Sequence, residues 1–76
     1  MKLRMGDLIF REVQWSKDIR RLEKYIIYTI HPIYYKCSVL DEEGRYNGMI
    51  DINKLKIGED FLTKSQAKLK FPQYFI

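Results

Sequence analysis

Among its 76 residues the chain has a single cysteine, Cys37, a single histidine, His31, one alanine and two prolines. One thiol cannot close an intrachain disulfide, so the fold needs no oxidising compartment. One Cys and one His also fall short of the four ligands of a structural zinc site. Apolar runs stay far below the ~18–20 residues that span a bilayer. In the opening MKLRMGDLIFREVQ, Asp7 and Arg11 interrupt any signal-peptide segment. A soluble, cytoplasmic protein with no membrane attachment is expected. Four glycines form neither a P-loop nor a dinucleotide-binding motif. The acidic groups Asp41, Glu42, Glu43 and Glu59, Asp60 lack the alternating ligand spacing of a calcium loop. No cofactor or metal is expected.

What remains is enough for one domain, 1–76, with a core near the lower practical size. The 14% aromatic content offsets the short length, because rings bring much apolar area per residue. Charged residues of both signs, 32% of the chain, argue for a solvated exterior and against disorder. The net charge is +4, unevenly placed. Residues 1–36 hold eight basic and four acidic side chains, residues 37–62 three and six, and residues 63–76 three lysines and no acid. That segregation suits oriented docking better than indiscriminate coating of a polyanion. Abundant Ile, Lys and Tyr beside one Ala fit AT-rich coding sequence, such as that of low-GC bacteria and of phages or other mobile elements.

Along the chain, DLIFREV (7–13) reads as a strand with Leu8 and Phe10 on one face, Ile9 and Val13 on the other. The polar, basic stretch QWSKDIRRLEK (14–24) reads as a long loop, a helical turn after Ser16 being the alternative. Tyr25–Ile30 has strand composition, and His31-Pro32 forces a turn. Beyond it, Ile33, Tyr35, Cys37 and Val39 alternate inward with Tyr34, Lys36 and Ser38 outward. DEEG (41–44) is a hairpin signal and RYNGMIDI a fourth strand with Tyr46, Ile50 and Ile52 on its inner side, although Asn47-Gly48 is a competing turn. A tight turn then drops Leu55 into the core before a short last strand. Residues 63–76 form a basic, aromatic tail, helical up to Pro72 or extended.

MGDLIF, the hairpin CSVLDEEGRYNGMI and the turn INKL, in that order, resemble an SH3-like small barrel over residues 5–62. The resemblance implies a mostly β fold of five strands with a long basic β1–β2 loop, an open α+β sheet being the structural rival. It also implies modules that bind RNA, DNA or peptides, an implication of fold alone.

Cys37 and His31 invite a nucleophile–base reading. They lie up to roughly 20 Å apart along an extended chain at ~3.3 Å per residue, and no further acid or amide is placed to orient the imidazole. Cys37 fits better as a small core residue, and no enzyme activity is expected. Three surfaces are candidates for binding. The loop offers Trp15, Lys17, Arg20, Arg21 and Lys24, with Trp15 either an interface anchor or a lid on the core. The outward strand face offers Tyr34 and Lys36 with Ser38, and Tyr25 or Tyr28 beside them, a combination suited to base stacking with phosphate neutralisation. The tail offers Lys64 and Lys68 on one helical face, with Phe71, Tyr74 and Phe75 free to dock on the domain. The pattern points to a noncatalytic module that docks on nucleic acid or a nucleic-acid-bearing complex. The rival is a protein-binding inhibitor or adaptor, phage-encoded, that blocks a host protein. A bare strand edge leaves homo-oligomers open.

Overall fold

The computed structural model describes residues 2–76. Five antiparallel strands form one sheet in the order β4-β3-β2-β1-β5: β1 Leu8–Gln14, β2 Arg20–Ile30, β3 Tyr34–Leu40, β4 Tyr46–Asn53 and β5 Leu62–Thr63. A 3-10 turn, Lys54–Lys56, precedes β5; helix α1, Lys64–Lys70, and a second 3-10 turn, Pro72–Phe75, follow it. The outer strands β4 and β5 do not pair with each other, so the sheet is open.

The strands alternate as expected where both faces find cover. Ile9, on one face of β1, joins Leu3, Tyr25, Ile27, Cys37, Ile52 and Phe61 in the larger core cluster. Phe10, its neighbour on the opposite face, packs with Leu62 and Ala67 and against Leu8, Leu22, Phe71 and Phe75. A strand buried on both sides at once needs a second layer, and α1 with the tail supplies it. Thr63 caps α1 by a reciprocal box with Gln66, which satisfies two amides at the helix start. The tail docks on the domain: the Phe75 ring meets Phe10 edge-on at 5.4 Å, and the Tyr74 hydroxyl donates to Glu12 at 3.1 Å.

The long loop expected over 14–24 is largely strand. β1 and β2 stay paired down to Gln14↔Arg20, leaving Trp15–Ile19 as the connection. Cross-strand charges hold this polar stretch in register: Arg11 meets Glu23 at 3.4 Å and Arg20 meets Glu12 at 3.0 Å. Two inward assignments also change. Leu55 lies exposed in the 3-10 turn, where the Asn53 side chain accepts from its amide at 2.8 Å; Ile57 and Phe61 reach the core in its place. Ile33 is exposed because it belongs to the turn ahead of β3, its carbonyl accepting from the Lys54 amide.

Register irregularities explain a further difference. Ile27 and Thr29 pair with the consecutive residues Cys37 and Lys36, so Tyr28 is an extra residue in β2. Ser38 and Leu40 pair with Met49 and Tyr46, which makes Asn47-Gly48 a bulge in β4, with Gly48 at φ +99°. Each bulge flips the parity beyond it. Tyr46 therefore shares the face of Leu40 and Ser38, away from Ile50 and Ile52, and is exposed. The hairpin itself turns at Asp41–Arg45 as the sequence suggests, with Gly44 in the left-handed region at φ +81°.

Candidate functional site

The sheet has one face closed over the larger core and one face only half covered. On the half-covered face, α1 and the tail shield β1 and β5 through Phe10 and Ala67. The part built by β2, β3 and β4 carries no second layer. Lys24, Leu40 and Tyr46 lie across it in one row, Ile26, Ser38 and Met49 in the next, and Thr29, Lys36 and Asp51 beyond. Ile26, Tyr28, Ser38, Tyr46, Gly48 and Met49 line a shallow hollow of about 360 Å³. Tyr28 is 63% and Tyr46 73% exposed, values that leave most of each ring free to contact a partner. Ser38 sits at the floor, buried, its hydroxyl donating to the Met49 sulfur at 3.1 Å.

Charge is disposed to suit this face. Every arginine except Arg4 meets a carboxylate: Arg11 with Glu23, Arg20 with Glu12, Arg21 with Glu42, and Arg45 with Asp41 and Glu43. Among the described residues no lysine does so. Lys24 and Lys36 thus stand on the open face without a carboxylate ion pair; Asp51 is the cross-strand neighbour of Lys36, and Asp41 and Glu42 line a hollow with Lys24 at the hairpin end.

The sequence-selected residues separate into three places. Trp15, Lys17, Arg20 and Arg21 gather at the end of the sheet beside the β3–β4 hairpin, where the Arg21 guanidinium lies 5.4 Å from the Trp15 ring and binds Glu42 at 3.0 Å. Trp15 is exposed and does not lid the core. Arg20 and Arg21 remain accessible, but their charge is matched by carboxylates of the same chain. Lys24, expected in the loop, belongs to β2 and joins Lys36 and Ser38 on the open face. Tyr34 stacks on His31, ring centroids 4.4 Å apart and nearly parallel, at the opposite end from Trp15. Lys64 and Lys68 are exposed on α1, over the covered half. Tyr25 is fully buried, its ring edge-on to Phe61 and its hydroxyl donating to Glu23; burial first, then Glu23, drive its pKa far above the usual tyrosine range. Sequence reasoning missed Tyr46, which only the β4 bulge places on the open face, and passed over Met49, whose place there follows from simple alternation with Ile50 and Ile52.

Cys37 is fully buried with its thiol directed to the Tyr35 carbonyl, and burial, helped by Asp51, pushes its pKa up to about 11. His31, stacked on Tyr34 and within 3.2 Å of the Thr29 hydroxyl, lies outside the core that encloses the thiol. Among the described residues no group of three or more His, Cys, Asp or Glu is placed to hold a metal ion. Among the described residues no helix is long and apolar enough to cross a membrane. Comparison with protein-family models, with curated proteins and with solved structures gave no match.

Proposed function

We propose that this chain is a noncatalytic SH3-like binding module that docks on nucleic acid or a nucleic-acid-bearing complex through the open β2–β3–β4 face. The observation that carries the reading is the presence of two exposed tyrosines beside Lys24 and Lys36, lysines without a carboxylate ion pair, while Glu12, Glu23, Asp41, Glu42 and Glu43 pair with arginines. The strand order, with β5 beside β1 after a 3-10 turn, supports the barrel-like kinship; the buried thiol supports the absence of catalysis. A cytoplasmic setting and a phage or mobile-element origin belong to the same reading.

A protein-binding adaptor or inhibitor is the second reading, favoured by the apolar hollow of Ile26, Tyr28 and Met49. Purification of the tagged chain from its host, with and without nuclease, separates the two. Nucleic acid that co-purifies at low salt, is stripped by moderate salt and is lost from the Lys24→Gln/Lys36→Gln variant is the expected result. A stoichiometric protein complex that survives both nuclease and salt overturns it.

A further inference from the structure

Resting on the nucleic-acid reading above, we propose that the open face selects a single strand with unstacked bases over a duplex, with Tyr28 and Tyr46 as stacking platforms and Lys24 and Lys36 as phosphate contacts. The chemistry of the two forms differs where this surface is equipped. Exposed tyrosine rings offer π-faces to bases that are splayed out; in a duplex those base faces are already stacked on one another and unreachable. Duplex binding relies instead on a helix or ribbon entering a groove and on an array of cations along both backbones. Here α1 spans only Lys64–Lys70 and packs on the sheet by Ala67, and the open face carries just two unpaired lysines.

The spacing suits a chain lying along β3. Leu40, the partner of Lys24, and Lys36 are four residues apart on that strand, roughly 13 Å at ~3.3 Å per residue. Between those rows lie the Ile26–Ser38–Met49 floor and Tyr28, while Tyr46 stands in the Lys24–Leu40 row itself, each tyrosine raised by one bulge. The bulges therefore have a use: each turns an aromatic ring out on the same face of the sheet. Asp51 beside Lys36, and Asp41 and Glu42 near Lys24, limit the attraction and bound the site at its two ends.

The test is fluorescence anisotropy with a labelled 16-nucleotide single strand and with the same strand annealed to its complement, from about 50 mM salt upward. The single strand is expected to bind at least tenfold more tightly. Tyr28→Ala and Tyr46→Ala should each weaken it by about 5- to 150-fold, the range of one base–aromatic stack. The slope of log K against log salt should be about −1.4 for two contacts on a single strand, falling to about −0.7 in Lys24→Gln or Lys36→Gln. Asp51→Asn should tighten binding, a gain that a merely structural role does not give, and Trp15→Ala should leave it unchanged. Duplex binding equal to or tighter than single-strand binding, or indifference to both tyrosine changes in folded variants, overturns the inference while the broader nucleic-acid reading stands. Binding of neither form at 50 mM salt overturns both.

Discussion

The open face exists because the tail covers only the other half of the sheet, and Phe75 is the side chain on which that division can be measured. Its ring is half-buried and meets Phe10 edge-on at 5.4 Å and 71°. Truncation to alanine loses about half the ~1.5–3 kcal/mol of a fully buried large apolar side chain. It also loses the ~0.5–1.5 kcal/mol of an edge-to-face pair, so the total is about 2 kcal/mol. A core of this size rarely supplies more than ~3–5 kcal/mol, so the loss is a large fraction of stability. In urea, with a slope near ~1 kcal/mol per molar for a small domain, the midpoint should fall by about 2 M. A double-mutant cycle with Phe10→Leu isolates the ring pair and should return a coupling of ~0.5–1.5 kcal/mol. A midpoint shift under about 0.5 M with no coupling would mean that the tail does not dock, and the reasoning about a half-covered face would fail with it.

Two other expectations follow from buried and capped groups. Cys37 is sealed in the core with its thiol pKa raised to about 11, so at pH 8 a thiol reagent should label the native protein only at the rate of global opening, and immediately in denaturant; fast labelling of the native state would contradict the burial. Asp41 accepts from the backbone amides of Arg45 and Glu43 and from the Arg45 guanidinium, and these, the Arg45 amide foremost, hold its carboxyl below the usual aspartate value. A lowered folded value stabilises above the unfolded pKa near 4, and that stabilisation is lost as pH falls through the folded value. The Asp41→Asn variant should therefore show a flatter decline of urea midpoint below pH ~4 than the parent; an unchanged acid limb would refute the capping role.

Much of the fold was legible because apolar alternation and turn chemistry agree. Ile9 against Phe10 announces a strand covered on both sides, Tyr35, Cys37 and Val39 mark the inner face of β3, and Gly44 fixes the hairpin. The errors share a physical origin. Residues 20–24 form strand without an apolar pattern, held by Arg20–Glu12 and Arg11–Glu23 pairs that appear only once β1 lies alongside. Alternation alone puts Tyr46 inward, yet one extra residue at Asn47-Gly48 reverses the parity, and periodicity carries no mark of a bulge. An isolated leucine in a turn reads as an anchor in the core, whereas Leu55 lies exposed in the turn capped by the Asn53 side chain.

For the candidate site the legible part was the outward Lys36 and Ser38, with Tyr28 beside them; Lys24 arrived from a different segment. The arginine cluster looked like the strongest cationic feature, yet Glu12 and Glu42 neutralise it in space from outside the 14–24 segment. Edge pairing of two copies through β4 meets resistance as well, since the bulge and Asp51 interrupt a regular edge.

The most direct measurement is an amide chemical-shift map of the labelled protein titrated with a single-stranded oligonucleotide at low salt. Shifts concentrated on Lys24, Ile26, Tyr28, Lys36, Ser38, Tyr46 and Met49 are the expected result. Shifts confined to Trp15–Arg21 or to α1, or no shifts at all, would contradict the assignment of this face.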